Sequence, residues 1–456
     1  MLTETHAAAA TYRRDLGAGL VLRWSTVEDT ENIAQLCSIV FRDKEDEPPN
    51  ENIMRWIRQL MSGEHPLMGP GDYGVVEDTQ KEGNPIIACT CLLRQQWEYE
   101  GIRFPMGRPE IVASDPTYRK RGLIRALFEM VHARSEAEGH MVQAVTGIPY
   151  FYRQFGYEYA LDLGGKRKTY LSLIPKAKEG ETEPYTLRAA TAEDIPLMLE
   201  FYNSQQAANV VWTHIPTAYM QYHLGEWKKR DVGADLLPYQ MIVDTAGAAK
   251  GFVWCAEKRW GRALDVFAID IAPGLNVQKV LPPLLRALKI YAERMPTRKP
   301  DIEALSEIHF YLHPHHPILE VLGDTLAPSL EPPYAYYVRV PDLPAFIQHI
   351  APALEKRLAG SPITGYTGEL KLNFYRGGLR LAFEDGHLTT AAPWQAPIYN
   401  NDANAGFPPL VFLQLLFGHR SLDELRRSFP DVRANDDTVF VLKTLFPARP
   451  SYVIPL

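Results

Sequence analysis

Cysteine is scarce in this chain: four in 456 residues, Cys37, Cys89, Cys91 and Cys255, each inside an apolar run. They frame no disulfide scaffold, and Cys89 and Cys91 have no second pair to complete a zinc site, so free core thiols in a reducing compartment are expected. Long hydrophobic runs are missing too. The longest, PPLVFLQLLFG around Leu413, is about half of what spans a bilayer and is interrupted by Gln414, so no membrane span is expected. The opening MLTETHAAAATYRR has neither a basic stretch nor a long apolar core; no secretory signal is expected, and the cytoplasm is the expected compartment. Positive charge is not in excess. With a formal net charge of −7, nothing global favours nucleic acid or an anionic membrane surface, and any anion site must be local. No segment is of low complexity.

What is present is enough chain for two or three domains. LVLRW, Leu20 to Trp24, reads as a strand, Ser25-Thr26 as a cap, and Ile33, Leu36, Ile39 and Val40 as one helix face. After a second helix over Ile53 to Met61, strands dominate, with an antiparallel pair turned at Glu100-Gly101. A helix then ends near Gly139, and RKTYLSLIP reads as the closing strand of this part. The charged, proline-bearing PKAKEGETEP reads as a linker. The order strand, R-x-x-T-x-E-D, helix occurs at Arg23 to Asp29 and again at Arg188 to Asp194, which points to an internal duplication. A third pattern follows: a helix over Leu343 to Leu358, a three-strand meander, and short helices near Leu410 to Leu416 and Leu422 to Arg426. Strands with segregated helices imply an α+β unit.

One stretch carries a chemical signal. YRKRGLIRALFEM, Tyr118 to Met130, sets Arg119, Lys120 and Arg121 against Gly122 at the start of an apolar helical pattern. A helix start offers unpaired N–H groups and a positive dipole end, and a glycine there lets an anion reach the main chain. Cations at that end oppose the dipole, so three in a row imply a compensating anion. Leu123, Ile124, Leu127, Phe128 and Val131 form the buried stripe.

SDPTYRKRGLIRALF resembles the pyrophosphate-binding signature R/Q-x-x-G-x-G/A of the GNAT acetyltransferases, starting at Arg119 with Gly122 in place. Ile124, where a small residue is usual, narrows the resemblance to the Eis-like N-acetyltransferases. YFYRQFGYEYA is similar to that family's Y-x-x-F-G-Y element, with Tyr152 as its tyrosine. The resemblance implies two tandem GNAT folds, each a mixed, largely antiparallel sheet flanked by helices in the α+β / α/β class, followed by a sterol-carrier-protein-like α+β domain. The corresponding boundaries are a catalytic domain over 1–174, a linker over 175–184, a degenerate second GNAT-like domain over 185–340, and the sterol-carrier-like domain over 341–456. The second copy keeps Gly274, but no basic triplet, and Pro282-Pro283 lie near the first turn of its helix.

The implied cosubstrate is acetyl-CoA, without a metal. It would be held by Val112, Ala113 and Ser114 on a splayed strand, by Arg119, Lys120, Arg121, Gly122, Leu123, Ile124 and Arg125 at the helix start, and by Gly147 and Ile148 at the acetyl end. Tyr152 is the implied general acid. For the base two groups compete: the terminal carboxylate at Leu456, which the resemblance places in the active site, and Glu110, on the strand face of Val112 and Ser114 if alternation holds. The expected acceptor is a primary amine of a small molecule, an antibiotic or a peptide lysine, and the expected assembly is a homo-oligomer, as a hexamer by resemblance. The competing reading is a carrier of lipid or another hydrophobic ligand, with the GNAT domains as scaffold.

Two further runs have plainer readings. HFYLHPHHP, His309 to Pro317, interleaves histidine with proline and reads as a turn entering a helix rather than a metal site. The acidic DKEDE, Asp43 to Glu47, reads as a solvated loop or one wall of a cationic acceptor site.

Overall fold

The computed structural model describes residues 6–228, 238–259, 261–297, 303–313, 315–397 and 402–456. Contacts concentrate in two compact units: the chain up to Leu161 with Tyr336–Arg449 and Leu456, and Asp162–Ala335 with Pro450–Pro455.

In the first unit β1 (Arg13–Gly17) and β2 (Leu20–Trp24) lead into α1 (Thr30–Val40) and α2 (Glu51–Leu60). Then come β3 (Tyr73–Asp78), β4 (Ile86–Tyr99), β5 (Ile102–Ser114), α3 (Leu123–Ala137), β6 (Val142–Val145) and β7 (Glu158–Leu163). The sheet runs β1-β2-β3-β4-β5-β6, then the strand Tyr334–Arg339, then β7. Neighbours are antiparallel from β1 to β5 and parallel between β5 and β6. The hairpin between β4 and β5 turns where expected: Glu100 and Gly101 both have positive φ, 45° and 88°, as a tight two-residue turn requires.

The stripe of α3 divides between two cores. Leu123, Leu127 and Val131 pack with Leu22, Val76 and Leu92, while Phe128 joins Val145, Tyr152, Tyr157 and Tyr337. Both R-x-x-T-x-E-D copies build the same device. Arg23 grips Asp29 with two nitrogens at 2.7 and 2.8 Å, and Asp29 accepts from the Thr26 amide at 2.8 Å. Arg188, Asp194 and Thr191 repeat it at 2.7, 2.7 and 2.8 Å.

The C-terminal part of this unit departs from the expected single helix. Two helices, Leu343–His349 and Ala351–Ala359, meet at Ile350, because Pro352 has no N–H to continue the first and is suited to the opening turn of the second. Phe346 packs edge-on against Phe104 and Tyr99 of the hairpin. The meander is present as Gly368–Asn373, Gly378–Glu384 and His387–Pro393, within a five-stranded sheet.

The second unit holds a seven-stranded sheet in the order 329–331, 166–170, 307–310, 263–271, 249–255, 239–244, 185–189. Lys166–Tyr170, read from sequence as the closing strand of the first part, pairs with Glu307–Phe310 of this sheet instead. Residues 175–184 form neither helix nor strand. Helix Val277–Arg294 covers the sheet with Val280, Leu284 and Leu288, and Pro282-Pro283 lie in its interior rather than its first turn. All four cysteines are buried free thiols. Among the described residues no helix is long and apolar enough to cross a membrane.

Candidate active site

The start of α3 is shaped by its backbone. Asp115 accepts from the Thr117 amide and hydroxyl at 2.8 and 2.7 Å, closing a turn over Pro116–Tyr118. Tyr118 plunges inward and donates to Asp78 at 2.5 Å, a bond that holds the Asp78 carboxyl below its ordinary range. Lys120 and Gly122 then take left-handed φ values of 65° and 78°, and the chain enters the helix. Gly122 is the N-cap and no side chain caps the helix. A Cβ on Gly122 would meet nothing within 4 Å, so the residue is glycine for its φ, and the space before it is open.

The basic residues are exposed but do not gather at one point. Arg121 lies over the Tyr118 ring at 4.8 Å, whereas Arg125 donates to Gln154 at 3.1 Å and lies over Phe155 at 5.4 Å. Leu123 is core, and only its main chain is at the helix start; Ile124 is half-buried beside the Tyr152 cluster.

The splayed strand has a visible cause. Opposite β4, the register steps from Cys89↔Ala113 to Cys91↔Glu110, so β5 carries one extra residue, and Ile111 there has φ 52°. On the other side, β5 and β6 are registered only at Met106↔Val142 and Gly107↔Gln143, while β5 runs on to Ser114. Val145 is paired on its far side by Tyr337. The edge of β5 from Glu110 to Ser114 thus lies beyond its pairing with β6. Despite the bulge, burial alternates as expected: Glu110, Val112 and Ser114 are half-buried, and Ile111 and Ala113 are buried.

Tyr152, 4% exposed, lies on the short turn Phe151–Phe155 among Phe128, Phe151, Tyr157 and Tyr337, with Val112 and Ile124 at the border of the cluster. Its hydroxyl end lies against Gly147: a Cβ there would stand 3.3 Å from Tyr152 Oη, and the φ of 131° also favours glycine. Ile148 is 61% exposed, and its carbonyl accepts from Tyr337 Oη at 3.1 Å. Tyr337 and Tyr159 stack at 4.1 Å with their hydroxyls 2.7 Å apart. Val112, Ile124, Gly147 and Tyr152, far apart in sequence, are thereby gathered.

The two candidate bases meet on a residue the sequence reading did not single out. Arg108 Nη1 donates to the terminal Leu456 oxygen at 2.6 Å, and Nη2 pairs with Glu110 Oε2 at 2.5 Å. Gln95 adds a second donor to the Leu456 oxygen at 3.1 Å. The available signal was an arginine and a glutamate two apart in a strand, since such residues share a face. Nearby, burial pushes the Tyr336 hydroxyl up to about 12, with Arg108 and Glu110 acting on it in opposite directions.

Among the described residues the second unit has no comparable opening. Gly274 has φ 84°, but its helix is capped by Asn276, which accepts from the Lys279 amide at 3.3 Å. Strand Ala263–Ile271 also bulges, between Val266 and Ala268, and there Tyr452 donates to the Phe267 carbonyl at 3.2 Å. In the histidine run, His316 accepts from the Ile318 amide at 3.2 Å and caps helix Pro317–Leu326, the expected turn into a helix. Among the described residues no three His, Cys, Asp or Glu side chains are grouped to hold a metal. Asp43–Asp46 is exposed.

Residues 22–160 match the acetyltransferase (GNAT) domain. That segment contains part of β2, β3 to β6, the bulge, the glycine turn and Tyr152, and the match supports an acetyltransferase enzyme. No curated protein matches the chain. Among solved structures, a conserved protein from Enterococcus faecalis V583 has a TM-score of 0.64 at 16% identity, covering 95% of this chain and 97% of that one. A GCN5-related N-acetyltransferase from Kribbella flavida has 0.62 at 19%, covering 95% and 97%. Eis1 from Mycobacterium abscessus has 0.57 at 13%, covering 94% and 98%. At these identities the likeness is one of fold, and it extends beyond the GNAT domain to nearly the whole chain.

Proposed function

We propose that the protein is an acetyl-CoA-dependent N-acetyltransferase of the Eis-like type, acting on a primary amine of an aminoglycoside-like small molecule or a lysine by direct attack in a ternary complex. The observation that carries this reading is the junction in the GNAT domain: a helix start without a side-chain cap, at an open left-handed glycine, following a strand that has parted from its parallel neighbour. The first supplies N–H groups and dipole for a pyrophosphate, with Arg119, Lys120, Arg121 and Arg125 around it. The second offers the edge at Val112, Ala113 and Ser114 to an extended amide-bearing arm. The arm's thioester end would then lie toward Gly147, Ile148 and the Tyr152 hydroxyl.

In this reading the amine nitrogen attacks the thioester carbon, the C–S bond breaks, and Tyr152 gives its proton to the departing thiolate. The Leu456 carboxylate or Glu110 takes the proton from the amine. We assign the second unit a non-catalytic role, since Asn276 already caps its helix start and Tyr452 occupies its bulge carbonyl. Residues 341–456 as a sterol-carrier-like domain, a homo-oligomeric assembly, as a hexamer by resemblance, and a cytoplasmic location belong to the same proposal.

Thiol release from acetyl-CoA over a panel of primary amines tests it. Tyr152→Phe is expected to lower kcat about a hundredfold and to leave CoA affinity within about twofold, because the ring still packs against Phe128 and Tyr337. An unchanged kcat removes Tyr152 from the acid role.

A further inference from the structure

The loop 147–150 joins the end of β6 to the turn that carries Tyr152, and its backbone is strained. Tyr150 has φ 59° and ψ −9°, a left-handed conformation that a bulky residue seldom adopts. Its ring is 70% exposed, so burial of the side chain does not offset that cost. Such strain persists only where the surroundings over-determine it, and it concentrates at functional sites.

What holds the loop is a pair of tyrosine hydroxyls. Tyr337 Oη lies 3.1 Å from the Ile148 carbonyl and 2.7 Å from Tyr159 Oη, and the Tyr150 amide donates to Tyr159 Oη at 3.1 Å. A phenol has one proton and a carbonyl only accepts, so Tyr337 donates to Ile148 and Tyr159 donates to Tyr337. The bonds thus form one directed chain from the Tyr150 amide through both hydroxyls to the Ile148 carbonyl, and it closes across Pro149. The two rings stack at 4.1 Å, and Tyr337 is fully buried. The Tyr337 ring also meets Tyr152 edge-on at 5.3 Å. It arrives on strand Tyr334–Arg339, which pairs with β6 but lies outside residues 22–160 of the GNAT match.

We propose that Tyr337 and Tyr159 are positioning residues: their hydroxyl chain clamps the loop 147–150 at the acetyl end of the site and so fixes Gly147 against the Tyr152 hydroxyl. This rests on the acetyltransferase reading and deepens it, because the placement of the acid then depends on a strand from beyond the GNAT segment. The clamp acts through the loop and not at the helix start around Gly122. Its loss therefore falls on turnover rather than on CoA affinity.

The test uses the full chain, acetyl-CoA, and 1,5-diaminopentane or kanamycin, whichever wild type acetylates faster. Tyr337→Phe and Tyr159→Phe each remove one hydroxyl and keep both stacked rings. Either is expected to lower kcat about tenfold, short of the roughly hundredfold loss of a misplaced catalytic group, with KM for acetyl-CoA within about twofold of wild type. Because the chain breaks at either link, the double variant should be no slower than the slower single one; effects that multiply refute the shared chain. Hydrogen exchange over residues 147–151 should quicken in both single variants, and unchanged exchange refutes the clamp. A folded variant with a lowered unfolding midpoint but wild-type kcat shows a merely structural role and overturns the proposal. If Tyr337→Phe does not fold, Tyr159→Phe, at a half-buried position, carries the same test. Failure of the underlying reading looks different: wild type then releases no thiol with either amine. The positioning role falls with it, while the exchange rates still decide whether the hydroxyls hold the loop.

Discussion

Gly122 and Gly139 stand at opposite ends of α3 and form a matched pair. Both have φ 78°, and a Cβ on either would meet nothing within 4 Å. Alanine at either position therefore pays the left-handed backbone penalty, about 1 kcal/mol, and no clash. For a unit of this size that is a fall in Tm of about 2 °C, the same for both variants. The functional consequence should differ. If a pyrophosphate docks on the open helix start, the new methyl on Gly122 intrudes on the anion's approach, and loss of one charge-assisted contact, about 1.5 kcal/mol, weakens CoA about tenfold. Gly139 lies at the C-terminal end of the helix, where its amide donates to Glu136, and its alanine variant should bind CoA like wild type. Calorimetric titration of both variants with CoA, alongside thermal unfolding, separates the two effects. Equal CoA affinities in the two variants would refute the anion-site reasoning, whatever the stabilities.

Two further outcomes follow from other parts of the chain. CoA should bind with one site per chain, because the second unit's helix start is already capped by Asn276; a stoichiometry of two would contradict its non-catalytic assignment. His132 is half-buried, and desolvation followed by the Arg339 charge depresses its pKa from 6.5 to about 3. The unfolded chain thus binds this proton first as pH falls, so the stability contribution is whole above pH 6.5 and drains away down to about pH 3. His132→Gln, which keeps a partner for the Tyr157 hydroxyl, should flatten that acid limb of the unfolding midpoint, and an unaltered slope would show that His132 does not titrate as described.

Local features were the legible ones. The repeated R-x-x-T-x-E-D predicted two strand-to-helix junctions and both exist with the same ion pair, because all partners lie within six residues. Gly122, Gly139 and the Glu100-Gly101 turn were equally readable, since each answers a local backbone demand. The partners of the candidate base were not. Arg108 and Leu456 are 348 residues apart, and no periodicity reports a contact of that span. The same distance problem hid the place of strand Tyr334–Arg339 between β6 and β7, and of Lys166–Tyr170 in the other sheet. The single helix expected over Leu343 to Leu358 failed for a local reason that was available: Pro352 lacks the amide that an uninterrupted helix needs.

The most direct measurement is thiol release from acetyl-CoA by the full chain with and without a primary amine, run beside a Gly122→Glu variant that puts a carboxylate at the helix start. The account predicts amine-dependent release by wild type and loss of both release and CoA binding in the variant. Release independent of amine, or a Gly122→Glu chain that binds CoA as wild type does, would contradict it.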